Sequence, residues 1–583
     1  MAFWILVACT PSGTLDPVWE PVLPTEPYGP SEPTTPPVPP PLTSPTTPTT
    51  PPEPTPDMPV VTTEWVPDMA VLTLDPPPGL FEDSITVNVA VSDPTATLHV
   101  TLDGTVPTPL TPVWVGPVTI DRSTPVRALA LGTWGSLETA AVYLALDPAL
   151  SGHSSNLPQV VLWTLDGAPA WKTEVYTSAT LSVFNPDAGG RVTFPANASM
   201  SHRAGFKIRG SSSSGYPKHP YRVEAWGALD DEDLDIPLLG MPADGDWIFG
   251  APLDFDRALM RDPLAFELSN AIGRYAPRTA AIELFVAENG EAVGLDDYVG
   301  VYQVAERIER GEDRVPITEM SETNVSYPEI TGGYLFKEDR TGPGEVGFWA
   351  GSDGGLYFQQ PFVLVDPNEA EIVPQQWDWL EAELDELGVA LTSPGFTHPI
   401  TGRHYDEIID VDSFIDHHVI NVLTKNPDAF RLSGYFHQDR LAPLAAGPVW
   451  DFDRTMGCSS DSRAEDPEFW DASNITPDCT FFFDHGFYGG LFDDSAFRDR
   501  VWARWRELLD GALSVEAMHE IIDRRAAELD EAAVRNFQVW SSYPPRGGDF
   551  ASEVTTLKDW LAARHAWIDG CLDLPDPRTC VGD

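Results

Sequence analysis

Residues 10–57 read TPSGTLDPVWEPVLPTEPYGPSEPTTPPVPPPLTSPTTPTTPPEPTPD, and no packed domain can be built from them. Each proline fixes φ and removes a backbone donor, while Thr and Ser bring little apolar surface to bury. The stretch is therefore expected to be an extended, PPII-rich stalk and a disordered linker. Whatever folds must begin near residue 58, and enough chain remains for more than one hydrophobic core.

Ahead of the stalk, residues 1–9 read MAFWILVAC. Leu6-Val7-Ala8-Cys9 has the form of a bacterial lipobox, in which the cysteine becomes a lipid-bearing N-terminus. The leader is short and carries no Lys or Arg, as a start codon placed too late would leave it. The competing reading is an apolar leader with a buried cysteine. No later segment holds about 20 uninterrupted apolar residues, so the expected membrane contact is limited to a lipid on Cys9. Cys458, Cys479, Cys571 and Cys580 fall into two near-neighbour pairs without zinc-ligand spacing. Two local disulfides in an exported protein are expected, Cys458 with Cys479 and Cys571 with Cys580.

The chain holds 35 Lys+Arg against 89 Asp+Glu, a formal net charge of −54. Such a field repels phosphate backbones, which excludes nucleic acid as a partner. Residues 58–150 then show short strands: DSITVNVAVSD, ATLHVTLDGTVPTP and GPVTIDRSTPVRALAL alternate apolar and polar residues at period two. This pattern reads as a small β-sandwich. LHVTLDGTVPT followed by GPVTIDRSTPVRALAL resembles the Ig-like domain at the C-terminal end of chitobiases, which implies an accessory module without a catalytic set.

From residue 155 to 530 strands such as QVVLWTL, YRVEAW and GGYLFKE are mixed with helices, among them DRALMRDPLAFELSNAIG with Gly273 as a C′ residue, and VDSFIDHHVINVLTKN. The expected class is α+β, with a ligand cleft between a strand-rich and a helix-rich half. Residues 531–583 read as a C-terminal helical extension.

Three stretches of this block carry chemistry. FKIRGSSSSGYPKHPYRVE is a Gly/Ser-rich turn flanked by Lys207, Arg209 and Lys218; NPDAF places Asp428 just after a helix; GPVWDFDRTMG places Asp451 and Asp453 at the end of an apolar strand. Turn, aspartate and second aspartate follow the order in which kinase folds arrange phosphate grip, catalytic base and metal ligand. Exposed N–H groups and a lysine neutralise a triphosphate, one aspartate accepts a hydroxyl proton, and another holds Mg2+ through hard oxygen.

With LMRDPLAFELSNAIG, GVYQVAERIERGEDRV and GGYLFKEDR in the same order, the chain from about residue 158 to 525 resembles the CotH kinase family, the spore-coat-protein-H-like secreted kinases. The resemblance implies an atypical two-lobe protein-kinase fold that uses ATP and Mg2+ or Mn2+ to phosphorylate Ser/Thr of extracytoplasmic proteins. It implies that Asp451 binds metal, with Asp453 completing the shell, and that Asp428 is catalytic. Lys218, with Lys207 and Arg209, is the expected phosphate-binding group; Glu267 is the candidate for its ion-pair partner with Glu306 as a rival, and an ordinary exposed helix face is the other reading of Glu267. Kinase loops carry an asparagine five positions after the catalytic aspartate, and here Ser433 stands there as a shorter metal ligand.

Two other readings compete. A kinase fold without turnover would serve as a surface protein in binding or adhesion. Carbohydrate hydrolysis is suggested by the chitobiase-like module alone, and Asp451 and Asp453 are too close in sequence to flank a glycosidic bond. The expected protein is a monomer acting outside the cytosol, on a bacterial surface or secreted.

Overall fold

Residues 70–342, 344–352, 355–458, 460–470 and 481–580 are described by a computed structural model. The Cys9 leader, the stalk and Cys479 lie outside the described residues.

The first strands form the expected sandwich. Leu72–Asp75, Ile85–Val91 and Val118–Ile120 make one sheet; Leu80–Phe81, Gly135–Ala145, Thr124–Gly132 and Thr97–Thr101 make the other. Period-two alternation in ITVNVAV turns Val87 and Val89 inward, where they meet Val100, Val126 and Tyr143. The opposite face of this module is not free. Leu80, Val142, Leu144 and Leu146 share a core with Val161, Trp163, Phe184 and Phe285 of the next domain, and Arg127 Nε donates to Ala228 O at 2.9 Å.

That next domain opens with a closed barrel of seven strands, in the order Thr177–Phe184, Met200–Ile208, Tyr221–Trp226, Asp246–Gly250, Tyr298–Glu306, Thr279–Ala287 and Gln159–Thr164. All pairs are antiparallel except Gln159–Thr164 with Thr279–Ala287. The run QVVLWT is buried along its whole length because Val160 and Leu162 enter the barrel core while Val161 and Trp163 face the module.

Removing the residues before Pro158 is therefore expected to cost stability, on the order of 1.5 kcal/mol for each large side chain left uncovered, and so to lower the thermal midpoint. Mg-ATP affinity should persist, because every candidate site residue lies beyond the cut. An unchanged midpoint in a melting curve would show that the shared core adds nothing.

The rest is helical, wrapped on a five-stranded antiparallel sheet whose central strand is Tyr334–Glu338, flanked by Phe362–Asp366 and Gly434–Gln438. The helices are α1 (Arg261–Ala271), α2 (Pro374–Thr392), α3 (Val411–Leu423), α4 (Gly486–Leu491), α5 (Ser495–Leu509), α6 (Val515–Val539) and α7 (Phe550–Cys571). The architecture is mixed α+β. Helix α1 begins five residues later than its apolar spacing suggested, because Leu259 takes a φ of 60° and the Asp256 carboxylate accepts the Arg261 N–H at 2.8 Å. Its end is as expected, with Gly273 at φ 89°. The boundary expected at 530/531 falls inside α6, which packs on the barrel strand Tyr298–Glu306. Among the described residues no helix is long and apolar enough to cross a membrane.

Cys571 and Cys580 form the expected disulfide. The expected Cys458–Cys479 bridge falls on Cys479, outside the described residues; Cys458 itself is a free, buried thiol whose Sγ faces Asp461 O at 3.7 Å. The turn that holds it, closed by Cys458 N–H to Thr455 O and Gly457 N–H to Ala464 O, directs the side chain into the core.

Candidate active site

A cleft of about 620 Å3 lies where the Gly/Ser turn of the barrel meets the loops that follow α3 and the strand Ala445–Ala446. Its wall includes Arg209 to Ser213, Lys337, Asp428, Ser433, Trp450, Asp451 and Asp453.

The Asn-Pro-Asp turn owes its shape to Asn426. Its side-chain oxygen accepts the Asp428 N–H at 3.0 Å, and its Nδ2 donates to Asp451 O at 3.2 Å, so one buried amide joins the two motif segments. The Asp428 carboxylate accepts from Arg431 at 2.5 Å and from Arg463 at 3.3 Å.

Asp451 has a φ of 69°, a left-handed conformation that Asp and Asn tolerate better than most residues. The residue after it is held in place: Phe452 is fully buried and donates its N–H to Asp262 Oδ1 at 2.5 Å, while Thr455 Oγ1 donates to Phe452 O at 2.7 Å. Burial, with Asp428 nearby, pushes the Asp451 carboxyl up to about 6. Asp262 rises to about 7, through burial and the charge of Asp451. Asp453 is raised well above the usual carboxylate range by burial, Asp451 and Asp262. Asp262 went unrecognised in the sequence, because an acid in the first turn of a helix reads as an ordinary partner of the helix dipole.

Arg209 lies over the Trp450 ring at 5.6 Å, and among the described residues its guanidinium has no hydrogen-bond or ion-pair partner. Lys337 pairs with Asp339 at 3.1 Å; against the opposing effect of burial, Tyr435 and Asp339 hold its ammonium above the usual lysine range. Arg454 stacks on Phe255 at 3.8 Å and donates to Ser212 Oγ at 3.0 Å, tying the aspartate segment to the turn.

Of the residues singled out in the sequence, Arg209, Asp428, Ser433, Asp451 and Asp453 meet at this cleft, while Lys207 and Glu306 do not line it and Lys218 lines an adjoining pocket with Arg209, Asp262, Asp451 and Asp453. Lys207 pairs with Glu174 at 3.0 Å over the Tyr176 ring. The Glu306 carboxylate is taken by Arg278, by its Nε at 2.8 Å, and by the Tyr275 hydroxyl at 3.1 Å, so it forms no pair with Lys218. Lys218 is 1% exposed and donates to Pro252 O, Val301 O and Asn536 Oδ1, which leaves its ammonium no hydrogen for a phosphate. Glu267 is on the α1 surface facing α6, where it pairs with Arg524 and Arg525.

Among the described residues no group of three or more His, Cys, Asp or Glu side chains is arranged as a ready-made metal shell. The donor set still fits Mg2+, which is commonly held by one or two carboxylates with phosphate and water oxygens completing the octahedron. Neither the Asp451 nor the Asp453 carboxylate accepts a hydrogen bond among the described residues, and a cation held by them would offset the burial and the neighbouring carboxylate charge that raise them both.

A family model described as CotH kinase protein matches residues 206–568, and one described as Chitobiase/beta-hexosaminidase C-terminal domain matches residues 76–142. No curated protein matches the chain. Two solved structures align weakly. A chimeric titin Z1Z2 functionalized with a KLER exogenous peptide from decorin is 14% identical over 27% of this chain and 90% of its own, with a TM-score of 0.11. A chimeric titin Z1Z2-Z1Z2 tandem functionalized with a GRGDS exogenous peptide from fibronectin is 12% identical over 27% and 93%, with a TM-score of 0.12.

Proposed function

Since this chain belongs to the CotH kinase family, we propose that the barrel and the helical half are the two lobes of an atypical kinase, which transfers the γ-phosphoryl group of ATP to Ser/Thr hydroxyls of extracytoplasmic proteins. The observation that carries this reading is a local inversion of charge. Seven Lys or Arg side chains line the cleft against five Asp or Glu, in a chain whose net charge is −54. A polyanion is the ligand such a pocket attracts.

Arg209, stacked on Trp450 and without another side-chain partner among the described residues, binds phosphate oxygens with a planar fork of donors. The turn at Gly210–Ser213 offers backbone N–H groups, and Lys337 adds a point charge. Asp428 accepts the proton of the acceptor hydroxyl as that oxygen forms its bond to the γ-phosphorus and the bond to the β-bridging oxygen breaks, leaving ADP. Arg431 and Arg463 orient the Asp428 carboxylate and place positive charge beside the reacting group. Asp451 and Asp453, with Ser433 at the margin, would hold Mg2+ or Mn2+, which would supply positive charge to neutralise the triphosphate.

The disulfide in the C-terminal segment supports action in an oxidising compartment. The same proposal places a monomer on a bacterial surface through Cys9, or free outside the cell. A second reading, a binding protein without turnover, is favoured by Ser433 in place of an amide ligand and by the two arginines on Asp428. Radiolabelled ATP with purified protein, with and without Mg2+ or Mn2+, separates them: label on the protein or on an added acceptor, dependent on the cation, is expected. Mg-ATP binding without transfer would favour the second reading.

A further inference from the structure

The buried ammonium of Lys218 and its partner on α6 sit directly behind the Gly/Ser turn. The base of the turn is closed by Arg209 N–H to Pro220 O at 3.0 Å, and its tip by Gly215 N–H to Ser212 O and Tyr216 N–H to Ser213 O. Between them, Lys218 Nζ reaches inward to Pro252 O at 3.0 Å, to Val301 O and to Asn536 Oδ1 at 2.9 Å, above the Tyr302 ring at 5.0 Å. Three acceptors match the three hydrogens of a charged ammonium and so oppose the burial that pushes this lysine well below the usual range.

Asn536 is fully buried, and its Oδ1 also accepts the Val301 N–H at 3.1 Å. The approach is close enough to require a glycine at Gly300, where a Cβ would stand 2.4 Å from that oxygen. Helix α6 is itself seated on the barrel by Arg535 on Glu283 at 2.7 Å and by Trp540 Nε1 on Val299 O at 3.0 Å.

We propose that Lys218 and Asn536 are positioning residues for phosphate binding: the Lys218 to Asn536 contact fixes the Gly210–Tyr216 turn, and with it Arg209, against α6, so that the turn's N–H groups face the cleft. The contact acts through the backbone and touches no substrate. This rests on the phosphoryl-transfer reading for what the turn binds, but not for how the turn is held.

The test compares three α6 variants of the full chain. Asn536→Leu removes both acceptor contacts at similar volume, Asn536→Asp keeps an oxygen for Lys218 and Val301, and Trp540→Phe cuts a different hydrogen bond on the same helix. In nucleotide-free protein, amide exchange at Gly215 and Tyr216 should speed by about tenfold or more in Asn536→Leu and stay near wild type in the other two. The KM for ATP in Asn536→Leu should rise by about tenfold while kcat stays within about threefold. Lys218→Met, which removes the donor and keeps the stem, should reproduce both effects and serves if Asn536→Leu does not fold. Turn exchange equal to wild type in both Asn536→Leu and Lys218→Met, or equally fast in Trp540→Phe, would overturn the proposal. A wild type that binds no ATP while the exchange pattern holds would leave the anchoring intact and remove the phosphoryl-transfer reading instead.

Discussion

Asp451→Asn should lose Mg-dependent transfer from ATP by about a thousandfold, while the metal-free protein melts at the same temperature or higher. Asparagine is the informative replacement because residue 451 sits at φ 69°, where Asn is as tolerant as Asp and alanine would add strain to the loss of charge. The stability half follows from electrostatics. Burial and neighbouring carboxylates push Asp451 and Asp262 up to about 6 and about 7, so the folded protein binds more protons than the unfolded chain across that range. Stability of the metal-free wild type is then full below the unfolded carboxylate range and declines as pH rises through 6 and 7. Asp451→Asn should flatten that decline, and Mg2+ should stabilise the wild type more at the alkaline end. Asp428→Asn provides the contrast: transfer should also vanish, yet the thermal shift on adding Mg-ATP should remain, because in the proposed mechanism Asp428 acts on the acceptor hydroxyl. A shift that persists in Asp451→Asn and disappears in Asp428→Asn would exchange the two roles.

The parts of this molecule that were legible in its sequence are those governed by short-range pattern. Period-two alternation located the sandwich, and a glycine past the last apolar residue located the end of α1. The order of the turn, Asp428 and Asp451 gathered five of the eight expected site residues on one cleft. What failed was side-chain direction across long sequence separations. Lys218 stands beside the Gly/Ser turn in the chain, but its orientation is set by Asn536, 318 residues away, and no local rule reports that contact. Glu306 likewise looks like a free acid in VAERIE, until the fold places Arg278 and Tyr275 on it. Asp262 was hidden for the opposite reason, since its local setting explains an acid at that position well enough without the second carboxylate that the fold brings to it.

Arg261→Met should destabilise the protein by about 3–5 kcal/mol, the largest loss expected from a single change outside the cleft. Arg261 is 0% exposed and joins three chain segments: its guanidinium pairs with Asp256 at 2.9 Å, donates to Thr455 O at 3.0 Å and lies 3.6 Å from Glu553 on α7. Methionine fills much of the volume but leaves Asp256 buried without its cation, and an unpaired buried carboxylate costs more than the pair contributed. Glu553 suffers less, because Arg546 still reaches it at 2.9 Å. Arg261→Met combined with Asp256→Leu should therefore recover part of the loss, as removing both charges avoids the stranded one. Denaturant unfolding reads this directly, as a lower midpoint at unchanged slope for the single variant. A single variant within about 1 kcal/mol of wild type would mean that water reaches Asp256. Because the Thr455 carbonyl sits two residues beyond Asp453, the same change should also loosen the segment that carries the cleft carboxylates, so the stable double variant should fold and still bind Mg-ATP more weakly than wild type.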